Sequence, residues 1–164
     1  MLLAACCGPC AIAAFNEFGE SYDITVFFWG NNMDCKEEFD RRLGALETVN
    51  EKLNKGREMV VVPYDNSQHT PLACESCFRA RSRAAAAFAT QNGFDCYSTS
   101  LTVSPHKNSA VINAIGESAG KDYGVPFISA DLKKRGGFQK TIEVSKQLGI
   151  YRQKYCGCKP AARF

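Results

Sequence analysis

The sequence predicts an α/β domain with a mostly parallel sheet flanked by helices. Three observations carry this. Short apolar runs alternate with amphipathic stretches along the whole chain. The runs favour β-branched and aromatic residues, as in Asp23–Trp29 (DITVFFW), which suits strands rather than buried helices. A chain of 164 residues, 45% of them hydrophobic, can bury one core without covalent staples, so residues 1–164 form a single domain.

Taken in order, Leu2–Cys7 is a short apolar run and predicts a buried strand, with a helix from Pro9 to Phe18. Asp23–Trp29 is the second strand. Cys35–Lys55 is charged but carries an apolar stripe at Phe39, Leu43, Leu46, Val49 and Leu53, which predicts a helix ended near Gly56. Glu58–Tyr64 (EMVVVPY) is the third strand. Pro71–Gln91 is an alanine-rich helix stopped by Asn92-Gly93. Asp95–Val103 predicts a strand, Ser109–Ser118 a helix, Pro126–Ala130 a strand and Gly137–Leu148 the last helix. Strand–helix alternation of this kind gives a parallel sheet, whose chemistry sits beyond the carboxyl ends of the strands. That places Cys6 and Cys7 at the end of the first strand and Asp131 at the end of the last. Cys74 and Cys77 enter a helix just after the third. All of them can converge on one crevice.

Seven of the nine cysteines gather in three short runs, Cys6-Cys7-Gly8-Pro9-Cys10, Cys74-Glu75-Ser76-Cys77 and Cys156-Gly157-Cys158. An odd count with adjacent thiols fits a disulfide framework poorly and fits metal or redox chemistry well. It also predicts a reducing, cytoplasmic setting. Leu2-Leu3-Ala4-Ala5-Cys6 resembles a lipoprotein cleavage box, but no basic residue precedes it and the apolar stretch falls short of the roughly 7–15 residues a signal needs. No run approaches the roughly 18 apolar residues of a membrane span. A net charge of +3 permits a nucleic-acid partner without demanding one.

Thiolates are soft donors that bind zinc or an iron–sulfur cluster, and spacing alone does not separate the two. Cys7 and Cys10 present two sulfurs to one centre with Cys6 beside them. Cys74 and Cys77, three apart at a helix amino end, share a face where thiolate is favoured. Cys7-Gly8-Pro9-Cys10 also matches the thioredoxin tetrapeptide, with Val125-Pro126 as its candidate cis-proline partner, but that reading leaves the other cysteine runs unexplained. Cys156 and Cys158, separated by one glycine, can close a strained, easily reduced disulfide suited to passing two electrons. Extra metal ligands are the other reading. Cys35 and Cys96 read as small buried hydrophobes.

Basic residues adjoin the cysteine runs: Arg79, Arg81 and Arg83 after Cys77; Lys133, Lys134 and Arg135 after Asp131; Arg152, Lys154, Lys159 and Arg163 around the last pair. They suit an anionic substrate such as nucleic acid or an ordinary solvated surface. Tyr151 and Tyr155 either stack on a base or pack in the core. Asp131 is a candidate metal ligand or proton donor, or simply a cap. His69 and His106 carry no assigned role.

Together, the stretches LLAACCGPC (2–10), CESCFRARS (74–82), STSLTVSPHKN (98–108), ISADLKKRGG (128–137) and YRQKYCGC (151–158) resemble the QueH family of epoxyqueuosine reductases. The resemblance implies a HUP-like, Rossmann-related domain that reduces epoxyqueuosine to queuosine at the wobble position of tRNA, drawing on an unidentified electron donor. It implies a [4Fe-4S] cluster on Cys6, Cys7, Cys74 and Cys77, and a redox-active dithiol at Cys156 and Cys158. A second mononuclear metal ion, iron or zinc, is implied near Cys10 and Asp131. The lead-in Ser67–Ala73 and the Asn31-Asn32 loop with Cys35 depart from the family's pattern, which bears on loop contacts more than on the cluster. CCGPC occupies the place where related ATP-using enzymes carry a glycine-rich phosphate loop, so ATP hydrolysis is not expected. The rival readings are a zinc-bound tRNA-binding module and a thioredoxin-like disulfide oxidoreductase.

Overall fold

The computed structural model describes residues 1–31, 33–65 and 74–157. Its order is β1 (Leu2–Ala5), α1 (Gly8–Phe18), β2 (Thr25–Trp29), α2 (Lys36–Leu53), β3 (Met59–Val62), α3 (Cys74–Gln91), β4 (Tyr97–Thr99), a 3-10 turn (Ser100–Val103), α4 (Ser109–Tyr123) and α5 (Gly137–Gln147). The four strands are all parallel, in the order β3-β2-β1-β4. The expected α/β architecture is the one observed.

Strand periodicity divides the core in two. Leu3, Val26 and Phe28 face one side and pack with Ile12, Phe15, Phe39 and Leu46 of α1 and α2. Leu2, Phe27 and Tyr97 face the other and pack with the Ala85, Ala86 and Ala89 face of α3 and with Ala119 of α4. Alternating residues thus bury both faces, as a parallel sheet between helix layers requires. The chain winds outward from β1 to β3 and then returns to place β4 on the other side of β1. The carboxyl ends of β1 and β4 therefore flank the crevice where such sheets bind ligands.

Two expected elements changed. The strand foreseen over Asp95–Val103 stops at Thr99, because the Thr99 hydroxyl accepts from Leu101 N at 3.2 Å and turns the chain into the 3-10 segment. The strand foreseen over Pro126–Ala130 shrinks to one bridge between Tyr97 and Phe127. Tyr97 alone pairs there, through Pro126 O and Ile128 N. The Ser98 hydroxyl then takes the Ile128 carbonyl at 2.8 Å, so the backbone ladder does not continue. In addition, α4 runs on to Tyr123, past the expected end at Ser118. The described residues contain no cis peptide, so Val125-Pro126 is not the cis-proline partner of a thioredoxin-like site. The foreseen helix start at Pro71 lies outside the described residues. Among those described, no helix is long and apolar enough to cross a membrane.

Candidate metal centre

β1 delivers Cys6 and Cys7 to the crevice, and α1 begins at once with Gly8. Cys7 occupies the helix N-cap with extended backbone and makes no side-chain cap bond, so its sulfur stays available. Pro9 in the first turn needs no donor partner, and Cys10 follows on the same turn. The sulfurs of Cys6, Cys7 and Cys10 all lie within 4.8 Å of one another, with Cys6 and Cys7 3.8 Å apart. All three residues are buried. A tetrahedral ion with metal–sulfur bonds of about 2.3 Å has sulfur–sulfur edges of about 3.8 Å, so this trio already has the spacing of one metal ion.

The electrostatics agree with the donor chemistry. Hydrogen bonds from Cys10 and Cys7, helped by the charges of Arg81 and Lys107, hold the Cys6 thiol well below its usual range. Burial pushes Cys7 up to about 12. Its bonds to Cys6 and Cys7, with burial, hold Cys10 well above the usual range. Of the three thiols, Cys6 is therefore the one most disposed to ionise. A bound cation would draw off the remaining protons.

Cys6 and Cys10 open onto a cavity of ≈ 30 Å³ that Cys77 and Cys156 also line. Three separated segments thus meet there. The volume is close to one water's share of liquid, too small for a nucleobase. Beyond it, a space of ≈ 160 Å³ shares Cys10 and Gln153 and is walled by His106 and Arg152. A more open space of ≈ 540 Å³ shares His106 and reaches Asp131 and Lys133.

The proposed ligands fall on both sides of this boundary. Cys77 is buried against the cavity, whereas Cys74, one turn earlier on α3, is exposed and does not line it. Asp131 also lies away from the thiol cavity. Its Oδ1 accepts from Ser109 Oγ at 2.8 Å, and Lys133 and Lys134 stand at 3.8 and 4.0 Å. Cys35 caps α2 without a cap bond and Cys96 is buried. Cys158, Lys159, Arg163 and His69 lie outside the described residues.

Of the arginines after Cys77, only Arg81 turns inward. It is 8% exposed, donates to Trp29 O at 3.2 Å and lies 5.6 Å from the Trp29 ring centre. Arg79 and Arg83 face outward to Glu75 and Asp122. Tyr151 and Tyr155 have their hydroxyls committed. They donate to Glu38 Oε2 and Asp34 Oδ1, each at 2.7 Å. Burial, aided by those carboxylates, pushes both phenols up.

Sequence reasoning missed the residues that hold this tail. Glu38 and Arg42 are 3% and 1% exposed and paired at 2.6 Å. Arg42 also donates to Tyr155 O at 2.9 Å and Cys156 O at 3.1 Å. A signal existed. Arg42 falls three residues after Phe39 and four before Leu46, on the apolar stripe of its helix, where an unpaired charge is out of place.

Residues 1–163 match the family model described as "Epoxyqueuosine reductase QueH". Proteins named epoxyqueuosine reductase QueH align over almost the full chain. The one from Streptococcus pyogenes is 31% identical over 99% of this chain and 70% of its own length. That from Staphylococcus aureus is 30% identical over 99% and 75%. That from Thermotoga maritima is 30% identical over 96% and 88%.

Proposed function

The chain belongs to the epoxyqueuosine reductase QueH family, and on that footing we propose that it reduces epoxyqueuosine to queuosine at the wobble position of cytoplasmic tRNA. The observation that carries the reading is the meeting of Cys6, Cys10, Cys77 and Cys156 on one cavity beside the carboxyl ends of β1 and β4. Soft donors from three segments suit a metal or iron–sulfur centre with a redox thiol at its rim.

Deoxygenation of the epoxide takes two electrons and two protons and yields an alkene and water. By the family resemblance, Cys6, Cys7, Cys74 and Cys77 would hold a [4Fe-4S] cluster and Cys10 and Asp131 a second ion, iron or zinc; Cys6, Cys7, Cys10 and Cys77 stand together for this, whereas Cys74 and Asp131 would have to turn in from outside the thiol cavity. A cluster bound there supplies electrons singly, at a potential set by burial and by hydrogen bonds to its sulfurs. Cys156 and Cys158 form the dithiol. Its oxidation to a disulfide releases two electrons and two protons, which balances the reaction, and a donor outside this chain reduces it again. Asp131, oriented by Ser109, stands on the open side of the site and serves there as the proton-handling carboxyl. Lys133 and exposed Arg152 flank the two larger spaces and suit the anionic backbone of an anticodon loop.

One observation favours a second reading. The Cys6, Cys7 and Cys10 sulfurs, within 4.8 Å, are spaced for a single tetrahedral ion, which fits a zinc-bound tRNA-binding module. Anaerobic purification with metal and sulfide analysis separates the two. About four irons and four sulfides per chain, with turnover of epoxyqueuosine-tRNA by a chemical reductant, is the outcome expected of the reductase. Colourless protein that holds one zinc and takes up no iron on reconstitution would replace it with the binding module.

A further inference from the structure

After α5 an irregular segment crosses back over α2 and brings Cys156 to the rim of the thiol cavity. Three successive carbonyls of that segment are tied down. Tyr155 O and Cys156 O accept from the two terminal nitrogens of Arg42, and Gly157 O accepts from Asp34 N at 2.8 Å. Arg42 Nε donates in turn to Glu38 Oε1 at 2.7 Å, and the other Glu38 oxygen takes the Tyr151 hydroxyl. The guanidinium also lies against Gly157. A Cβ there would sit 3.2 Å from three of its atoms, and φ is +103°. The backbone conformation thus favours glycine between the two terminal cysteines, and an added Cβ would crowd the arginine above it.

A buried arginine–glutamate pair is a poor way to add stability, because desolvation consumes most of the Coulombic gain. Apolar residues of similar size do as well or better. The pair is better explained by what it holds. Resting on the assignment of Cys156 as a redox thiol, we infer that Glu38 and Arg42 are positioning residues for the reduction, fixing the Tyr155–Gly157 backbone so that the Cys156 sulfur meets the thiol centre in one geometry. The guanidinium fork matches two adjacent carbonyls, which a lysine ammonium does not.

The test compares the parent enzyme with the paired variant Glu38→Leu/Arg42→Met, and with Gly157→Ala, which keeps the ion pair but pushes the segment off it. Melting temperature, kcat and KM for epoxyqueuosine-tRNA are measured, together with the rate of Cys156 alkylation by N-ethylmaleimide read by mass spectrometry. The paired variant is expected to stay folded, keep its KM and lose about 100-fold in kcat, the usual cost of a misplacement near 1 Å. Its Cys156 alkylation should rise about tenfold or more, the factor set by losing one charged hydrogen bond. Where Cys156→Ser has lost turnover, parental kcat in a folded paired variant overturns the inference, whatever the alkylation rate. If that variant does not fold, Gly157→Ala decides, with the same two losses expected and parental values overturning it. The redox assignment is tested separately by Cys156→Ser. Should that variant turn over fully, or should the parent show no epoxyqueuosine reduction, alkylation alone decides the positioning role, and equal rates in parent and variants overturn it.

Discussion

Gly8 is where a single methyl group should most directly disturb the thiol trio. It lies between Cys7 and Cys10 at the first turn of α1, pressed against the backbone of α2. A Cβ at Gly8 would stand 2.4 Å from the Ala45 carbonyl oxygen, 2.6 Å from its carbon and 3.0 Å from Leu46 N. These are backbone atoms inside a helix and do not rotate away. Ordinary contact begins near 3.4 Å, so the two helices must separate by about 1 Å in a close-packed interior. Overpacking of this kind costs about 1–3 kcal/mol, which for a domain of this size lowers Tm by about 2–12 °C. The functional loss should be larger. A first-turn shift of about 1 Å exceeds the ~0.5 Å tolerance of a preorganised site and moves the Cys10 sulfur relative to Cys6 and Cys7. Thermal melts of Gly8→Ala, with cobalt(II) titration to report thiolate coordination, provide the assay. Gly44→Ala is the control. Gly44 is exposed in the middle of α2 with nothing within 4 Å of an added Cβ, so alanine there should stabilise by about 0.5–1 kcal/mol. If Gly8→Ala melts with the parent and binds cobalt equally well, the tight α1–α2 approach does not set the thiol geometry.

Removing one partner of the buried pair should cost far more than removing both. Arg42→Met alone leaves Glu38 charged and buried, a loss of about 3–5 kcal/mol or about 6–20 °C in Tm, and melting curves of the single and paired variants check it. Tyr97 donates to Gly116 O at 2.6 Å, and burial raises its phenol above the ordinary 10.0. The folded value exceeds the unfolded one, so this contribution is fully present below about pH 10 and is lost as pH rises through the folded value. Tyr97→Phe should flatten the alkaline fall in urea stability while costing about 1 kcal/mol near neutrality; an unchanged alkaline slope counts against it. Cys77→Ser should sharply lower metal content per chain while Cys35→Ser leaves it unchanged, since only Cys77 faces the thiol cavity. Equal metal content in both would remove Cys77 from the ligand set.

Much of this was legible in one dimension, because local composition carries it. β-Branched and aromatic runs such as Thr25–Trp29 make strands wherever they occur in a helix-flanked sheet. An apolar stripe at helical spacing buries one face of α2. Thiols three and four residues apart share a site by chain geometry alone, so Cys6, Cys7 and Cys10 were readable as donors before any fold was known. Less was legible where the outcome depends on a distant partner. Pro126–Ala130 has strand composition, but a side chain on β4 takes the carbonyl that a ladder would have used. Cys74 and Cys77 look equivalent in sequence, yet only Cys77 is buried against the cavity, a consequence of how α3 lies on the sheet. Glu38 and Arg42 have the spacing of an ordinary surface ion pair. It took the return of the Tyr151–Gly157 segment across α2, more than a hundred residues later in the chain, to bury them. Sequence by itself thus determined which groups are thiol donors and where the first three strands lie, since those follow from covalent spacing and side-chain shape. The tertiary structure decided which donors face one another and what holds them there, since burial and long-range hydrogen bonds exist only once the layers have packed.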